Sequence, residues 1–449
     1  PFNLFFTFFI IIPILFDRLR KCKKFSETIR LAIFFGFGYY LSNYYWISFS
    51  FIVEKSHILA FPIVFLFIPF FFTIYFIIYF CLFHYIQRKF KINLYEQLII
   101  FVVLWILIEY LRGHSILFFD FTGLPWNLIG YSFFLKSEFV QIAYFVGIYG
   151  LSTILIASSA SFYIILRKYQ NKEKIKNTAL TIISINLAIY SSIYLFGMHR
   201  LNNKNEGQHN FTIKIINPAI DKHHNYKMEN IIANIDKQIA ISKDPLQKEI
   251  DLLIWPESSI ALLLNQNNES LKYIFSKIKN VRYLFAGSFS AEGQKYFNTG
   301  YLIDKEGNII DYYRKANLVP FGEYIPLISF LPIKAITNNI ANFYPGKITN
   351  KIIKIDDNIS FTPLICYDAI FTGRFNNNSD FLVNITNDIW FSKKLFGRQI
   401  STGLYQHSNI VRLRAIEEGM PMIRVANNGL TSIFDSYGSI IKQIKPNQA

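Results

Sequence analysis

Six long apolar runs crowd into the first 200 residues of this 449-residue chain, at about 2–16, 31–53, 58–86, 96–111, 139–166 and 178–197. A helix needs roughly 20 apolar residues to cross a bilayer core, and four of the runs meet or exceed that length. The run at 96–111 is short, and the one at 2–16 reads as cut off at Pro1, which is not a Met. The chain is not membrane protein throughout. Its mean hydropathy of +0.26 is too high for an ordinary soluble protein, while 17% charged residues are too many for a chain made only of spans. A transmembrane helical domain over 1–200, with about six spans, followed by a soluble domain over 205–449 resolves the conflict. Abundant aliphatic and aromatic residues exclude disorder, and 21 Gly with 3 Cys exclude collagen and disulfide scaffolds.

The net charge of +16 follows the same division. Residues 1–200 carry 18 Lys and Arg against 8 Asp and Glu, and the remainder carries 28 against 22, so +10 of the excess lies in the membrane region. It gathers in alternate loops. Residues 17–30 hold six basic side chains (Arg18, Arg20, Lys21, Lys23, Lys24, Arg30), 87–95 hold three and 167–177 hold five; the loops between hold one (Lys55) and two (Arg112, Lys136). The positive-inside rule makes the rich loops cytoplasmic, and parity through six spans puts everything after about residue 198 on the other side. Short basic runs interrupted by spans do not make a nucleic-acid site, and no nucleic-acid partner is expected.

Beyond residue 205 the pattern changes to short β-branched runs bounded by turn residues: FTIKII (211–216), DLLIW (251–255), RYLFAG (282–287), FTPLIC (361–366), DFLVNIT (380–386) and PMIRVA (421–426). Polar helical stretches at 226–243 and 402–418 lie between them, the second with Ile410, Leu413 and Ile416 spaced along one face. Strands alternating with helices imply a layered α/β fold, in which chemistry collects beyond the C-terminal ends of strands.

Three such ends carry unusual polar groups. DLLIWPESS places Glu257 just after a buried strand, YYRKANLVPFGEYIP supplies Lys315 and Glu323, and FTPLICYDAIF places Cys366 at the end of another strand. A carboxylate, an ammonium and a thiol that converge make a nucleophilic site: the Lys lowers the thiol pKa and stabilises an oxyanion, and a sheltered Glu takes and returns the proton. Each piece alone has a plainer reading. A lone Cys ending an apolar strand is usually core, a lone Lys is usually solvated, and a lone Glu in a turn is a solvated or helix-capping carboxylate. Cysteine placement separates the readings. Cys22 falls in a cytoplasmic loop and Cys81 in a span, which leaves Cys366 as the single extracytoplasmic thiol, with no intramolecular disulfide partner. The eight His show no ligand spacing, so no metal is expected, and no glycine-rich phosphate loop follows a strand, so no nucleotide or other cofactor is expected.

Glu257, Lys315 and Cys366 in this order resemble the carbon-nitrogen hydrolase (nitrilase) superfamily, whose αββα sandwich carries a Glu/Lys/Cys triad. Read with the membrane half, the motifs WPESS, YRKANLVPFGEYIP, ICYD, NITNDIWF, YQHSNIVRLRAIE and RVANNGLTS resemble the bacterial apolipoprotein N-acyltransferases. GFGYYLSNYYW (36–46), EYLRG (109–113) and FTGLPWNLIGYS (121–132) extend that resemblance across nearly the whole chain. It implies a polytopic α-helical membrane domain joined to an α/β, nitrilase-like αββα soluble domain.

The resemblance also implies roles. Cys366 is the nucleophile, Glu257 the general base and Lys315 the oxyanion stabiliser, with Glu323 a second carboxylate that holds the ammonium charged and oriented. Tyr367 and Asp368 follow the nucleophile; relatives usually carry Glu at the position of Asp368, one methylene longer. Arg112 matches an arginine at the mouth of the membrane half, a place where it could meet a lipid phosphate, the plainer alternative being an ion pair with Glu109. INPAIDKHHNYKMEN replaces a stretch that usually carries Gln and Trp, with Tyr226 standing in for the Trp. Relatives continue beyond the position of Ala449 into a strand pair and a closing transmembrane helix. The segment 332–351, with Phe343 and Tyr344, is a lid at the bilayer surface or an ordinary surface loop.

The implied reaction transfers a fatty acyl chain from a membrane phospholipid to the α-amine of the N-terminal diacylglyceryl-cysteine of an apolipoprotein, through a Cys366 thioester. The implied setting is the bacterial inner membrane, multi-pass, with the catalytic domain periplasmic and the protein a monomer. Two other classes remain. A membrane-anchored amidase of the same superfamily would use the same triad and release the acid to water. A transporter would need ionisable residues facing a pathway within several spans, and only Glu109 qualifies.

Overall fold

The computed structural model describes residues 5–52, 59, 61–114, 122–204, 211–220, 227–243, 248–266, 269–324, 343–347, 351–373, 378–391, 394–395, 398–399 and 402–446. The chain divides into two units, Pro1–Leu117 with Gly123–Lys204, and Phe118–Thr122 with Asn205–Ala449. In the first, the apolar runs fold as α1 (Phe8–Lys21), α2 (Phe25–Tyr44), α3 (Phe61–Lys89), α4 (Leu94–His114), a short α5 (Ser137–Val140), α6 (Ala143–Ser161), α7 (Tyr163–Gln170) and α8 (Lys176–Asn202). Polar residues set the starts. Glu27 Oε2 accepts the backbone N–H groups of Lys23 (2.8 Å) and Lys24 (3.3 Å), which opens α2, and Asn93 Oδ1 accepts those of Tyr95 (2.9 Å) and Glu96 (3.1 Å), which opens α4.

Among the described residues, four helical segments are long and apolar enough to cross a membrane: Phe61–Lys89, Leu94–His114, Ala143–Gln170 and Lys176–Asn202. Two further helices precede them. Helix α1 has 14 residues and ends in Asp17, Arg18, Arg20 and Lys21; α2 starts among Glu27 and Arg30, carries three Tyr, and tightens into a 3₁₀ helix over Tyr45–Ile52. The helices pack through aromatic side chains and one close approach. Phe16 meets Tyr163 at 4.7 Å and Phe101 at 5.1 Å, and a Cβ at Gly36 of α2 would stand 2.9 Å from Thr73 Cγ2 of α3. Gly147, at φ 61°, interrupts α6 near its start.

The second unit is built on two sheets. The first has the order β1 (Ile213–Ile215), β2 (Ile250–Ile254), β3 (Val281–Glu292), β4 (Lys295–Asp304), β5 (Ile309–Arg314), parallel through β3 and antiparallel after it. The second contains β6 (Ile353–Lys354), β7 (Ser360–Ile365) and β8 (Phe381–Asn387), then, past a two-stranded ladder of β9 (Lys394–Leu395) and β10 (Arg398–Gln399), β11 (Met422–Asn427), β12 (Thr431–Phe434) and β13 (Ile440–Ile444). Its order is β13-β12-β11-β8-β7-β6, with β7, β8 and β11 parallel. Helices α9 (Met228–Ser242) and α10 (Glu269–Lys277) belong to the first sheet and α11 (Gly403–Glu418) to the second.

The period of two along each strand sorts side chains into layers. Leu253 and Leu284 pack under Ile231, Ile235 and Ile239 of α9 and Leu271 and Ile274 of α10. Their neighbours Leu252, Ile254 and Phe285 turn the other way and meet Ile365, Val383 and Ile385 of the second sheet. Leu364, Leu382 and Met422 face outward again, against Val411 and Ala415 of α11. The result is an αββα sandwich, the architecture expected. Both helices read from the sequence form, α11 closing at Gly419 with φ 64°, and all six expected strands appear. The hairpin β4–β5 was not foreseen, because KYFNTGYLID interrupts its apolar residues with Asn, Thr and Gly.

Candidate active site

Four strand ends bring the polar groups together. Lys315 follows β5, and its backbone N–H donates to the carbonyl of Asn298 on the neighbouring β4 (2.9 Å). Its side chain is 1% exposed, and Nζ donates to Glu257 Oε1 at 3.2 Å and to Glu323 at 2.9 Å. Asn298 Nδ2 bridges the same carboxylates, reaching Glu257 Oε1 at 2.8 Å and Glu323 Oε1 at 3.0 Å. The second oxygens are fixed by main chain: Glu257 Oε2 accepts Asn387 N–H at the end of β8 (2.9 Å), and Glu323 Oε2 accepts Val319 N–H (2.8 Å). Gly287 on β3 makes room for this turn, since a Cβ there would lie 2.6 Å from both Glu257 Cα and Ser258 N.

Cys366 sits where β7 ends and a 3₁₀ turn over Cys366–Ile370 begins, with φ 48°, a left-handed conformation costly for a residue with a Cβ. Asp368 holds that turn. Its Oδ1 accepts both the backbone N–H and Nδ2 of Asn317 at 2.8 Å, and its Oδ2 accepts Ile365 N–H and Tyr313 OH, each at 3.1 Å. The shorter side chain therefore still bridges the thiol turn and the segment after Lys315. Tyr367 is buried beside Phe371, with ring centroids 5.5 Å apart.

The electrostatics differ from expectation at one point. Desolvation and the neighbouring Glu257 push the Cys366 thiol well up, and Lys315 offsets them only in part. Lysine alone was expected to lower it; here the ammonium is already shared by two carboxylates. Burial raises Glu257, against the pull of Lys315, and Glu323 adds to the rise. For Lys315 itself burial works downward but is outweighed by Glu257 and Glu323, and the ammonium stays charged. The arrangement holds a protonated thiol beside a carboxylate able to take its proton, with a fixed cation at hand.

The other residues named from the sequence fall as follows. Phe343 stacks on Phe289 (5.6 Å), and its N–H donates to the Glu323 carbonyl (3.0 Å), while Gly346 N–H donates to the Lys315 carbonyl (2.8 Å). Most of the 332–351 segment, and Tyr226, lie outside the described residues. Arg112 belongs to the first unit. Its Nη1 donates to Tyr44 OH and to the carbonyls of Leu124 (2.8 Å) and Trp126 (2.7 Å). Glu109 accepts Ile129 N–H (2.9 Å) and Trp105 Nε1–H (3.3 Å), and none of the ion pairs among the described residues joins it to Arg112. No group of three or more possible metal-ligating side chains occurs among the described residues.

The sequence reading missed Asn298, which a strand assignment over 295–304 would have set beside Lys315. It also left NITNDIWF unused beyond resemblance. That motif carries Thr386 and Asp388, whose carboxylate is bound to Arg424 and lies 3.2 Å from His407 Nδ1.

Two family descriptions match the chain: the apolipoprotein N-acyltransferase N-terminal domain over residues 1–161 and carbon-nitrogen hydrolase over residues 218–449. The apolipoprotein N-acyltransferase of Rickettsia bellii is 34% identical over 443 residues, 96% of this chain and 83% of that protein. Those of Rickettsia prowazekii and Rhizobium rhizogenes are 32% and 28% identical, over 96% and 92% of this chain and 83% and 77% of theirs. Among solved structures, a carbon-nitrogen hydrolase superfamily protein from Xanthomonas campestris aligns with 54% of this chain and 89% of its own, at 16% identity and a TM-score of 0.40.

Proposed function

Because the chain belongs to the apolipoprotein N-acyltransferase family, we propose how its own residues divide that reaction. The protein is a membrane-associated acyltransferase whose catalytic domain is of the carbon-nitrogen hydrolase type. Its substrates are lipids and lipoproteins: a phospholipid supplies the fatty acyl chain, and the α-amine of a diacylglyceryl-cysteine at an apolipoprotein N-terminus receives it.

In our reading the transfer has two halves. The Cys366 thiol gives its proton to Glu257 as the sulfur attacks the ester carbonyl. The C–O bond then breaks, Glu257 returns the proton to the departing lysophospholipid oxygen, and an acyl thioester remains on Cys366. The incoming amine attacks the thioester, gives a proton to Glu257, and leaves as the amide, and Cys366 recovers its thiol. Lys315 faces the oxyanion of each tetrahedral intermediate. Glu323 and Asn298 keep the ammonium in register, and Asp368 and Tyr367 hold the turn that presents the sulfur.

The observation that carries this reading is the placement of Lys315 Nζ within 3.2 Å of two carboxylates, beside a thiol whose charge Glu257 and Lys315 both influence. The membrane-facing assignments rest on other ground. The alternation of basic loops supports a multi-pass inner-membrane protein with residues 205–449 outside the cytoplasm. The contacts of Phe343 with Phe289 and Glu323 support a place for its ring near the acyl substrate, and those of Arg112 support a role in holding main-chain carbonyls rather than a phosphate. The match of residues 1–161 to the acyltransferase N-terminal domain favours transfer to an amine over hydrolysis. The test is incubation of Cys366→Ala protein with acyl-labelled phospholipid: wild-type protein acquires a hydroxylamine-sensitive label and the variant acquires none. A label that persists on the variant overturns the nucleophile assignment.

A further inference from the structure

The parallel register of β7 and β8 pairs Ile365 with Ile385, which sets the next residues, Cys366 and Thr386, side by side at the strand ends. Thr386 is fully buried, and its hydroxyl has two acceptors within reach. One is the Cys366 sulfur, which the strand register sets beside it and whose charged form the hydroxyl favours. The other is Asp388 Oδ1, at 3.3 Å, long for a hydroxyl donor. A hydroxyl has one proton and can serve only one of them at a time.

Asp388 is built to do without that proton. Its Oδ1 also faces His407 Nδ1 at 3.2 Å, and its Oδ2 takes Arg424 Nη2. Arg424 is itself held, through Nη1 to Asn384 Oδ1 (2.9 Å) and Nε to the Leu430 carbonyl (3.2 Å). Gly429 leaves the space this carboxylate needs, since a Cβ there would stand 2.1 Å from Asp388 Oδ2. Asn384 Nδ2 donates to the main-chain carbonyl of Cys366 at 3.4 Å, so the cluster that holds Arg424 also clamps the left-handed backbone of the nucleophile. None of these residues entered the mechanism above.

We propose that Thr386 is a further catalytic residue, whose hydroxyl turns from Asp388 to the Cys366 sulfur as the thiol gives its proton to Glu257. Asp388, His407 and Arg424 are positioning residues that release the hydroxyl, and Asn384, held by Arg424, fixes the Cys366 carbonyl. The step moves one proton, from sulfur to the Glu257 carboxylate; Thr386 keeps its own and only changes acceptor. The role answers a need of this site. Lys315 is divided between Glu257 and Glu323, so a neutral donor inside the pocket supplies stabilisation to the sulfur anion that the ammonium alone does not. Hydrogen bonds to charged groups are the stronger class.

The proposal rests on Cys366 as nucleophile, and its test reads the thiol without acyl transfer. Full-length protein in detergent is alkylated with iodoacetamide from pH 6 to 10, and the peptide bearing Cys366 is quantified by mass spectrometry, which separates it from Cys22 and Cys81. Glu257, Lys315, Glu323, Asp368, Asp388, His407 and Arg424 are unchanged across the series, so differences report the residue at 386. Thr386→Val and Thr386→Ala slow alkylation at pH 8 by about tenfold or more and shift the pH profile upward by about one unit or more, while Thr386→Ser stays within about twofold of wild type. Thr386→Ala decides where Val disturbs β8. Wild-type profiles for Val or Ala, or a Ser variant as slow as Ala, overturn the proposal. Acyl transfer by Cys366→Ala would instead overturn the mechanism of the preceding section and leave this result readable.

Discussion

Arg112 and Lys315 are both buried cations ringed by oxygen atoms, one in each unit. Arg112 spends its hydrogens on a tyrosine hydroxyl and the carbonyls of Leu124 and Trp126, none of which readily takes a proton. Lys315 spends its hydrogens on Glu257 and Glu323, both of which can. The difference lies in the acceptors. A cation surrounded by neutral carbonyls fixes a chain segment, whereas one shared by carboxylates beside a thiol forms a proton-transfer site. Buried charge alone therefore did not locate the chemistry in this chain.

The sharpest way to break the comparison is to remove each cation. Lys315→Met leaves Glu257 and Glu323 facing each other without their counter-charge, and acyl transfer falls by at least about a thousandfold, roughly 4 kcal/mol in the barrier. Transfer from labelled phospholipid to a lipopeptide amine measures it. Arg112→Met strands buried carbonyls instead, and the expected cost is stability, about 3 kcal/mol in a denaturant or thermal titration, with transfer per folded molecule within a few-fold of wild type. If Arg112→Met abolished turnover in a fully folded protein, the division between the two units would fail.

Glycines sharpen the same contrast. Gly287→Ala drives a Cβ into the backbone of Glu257 and Ser258, and its expected effect is about a hundredfold loss in transfer, because displacement of a catalytic group by about 1 Å costs that much. Gly36→Ala meets a methyl of Thr73 across a helix contact, and it shifts the thermal midpoint with little effect on transfer.

The smallest effect separates burial from chemistry within the soluble unit. Desolvation, helped by Glu417 and opposed by Arg414, raises the Glu418 carboxyl from 4.5 to about 7. The folded state then holds the proton more tightly than the unfolded state. Its contribution to stability is present below pH 4.5 and lost as pH rises through 7. Allowing for the partial exposure of Glu418, the loss is on the order of 1 kcal/mol. Unfolding titrations at pH 5 and pH 8 show it, and Glu418→Gln flattens the difference without changing transfer.

Much of this was written in the chain. The period of two in DLLIW and DFLVNIT, read with the turn residues around them, was enough to set strands whose ends carry Glu257 and Cys366. Lys315 and Glu323 were found by residue type and motif. Asn298 was not, because its strand is polar and its value comes from a neighbour across a ladder, a relation that no local pattern reports. Thr386 and Asp388 were hidden for a similar reason: their meaning depends on the register of β7 against β8. In the membrane unit the apolar runs gave helices, and among the described residues four segments are long and apolar enough to cross a membrane. The thiol's electrostatics were misjudged because a lysine was counted as a free charge, when geometry had already paired it twice.

The central claim is that Cys366 carries the acyl group between two lipid substrates, with Glu257 moving the proton. A single-turnover experiment tests it most directly. Wild-type protein is loaded with acyl-labelled phospholipid in the absence of acceptor, the intact mass is recorded, and a diacylglyceryl lipopeptide with a free amine is then added. The account predicts one acyl group on Cys366, stable until the lipopeptide arrives and then discharged stoichiometrically into an N-acylated product. Discharge to free fatty acid at the same rate with or without the amine, or an acyl group on any other residue, would contradict it.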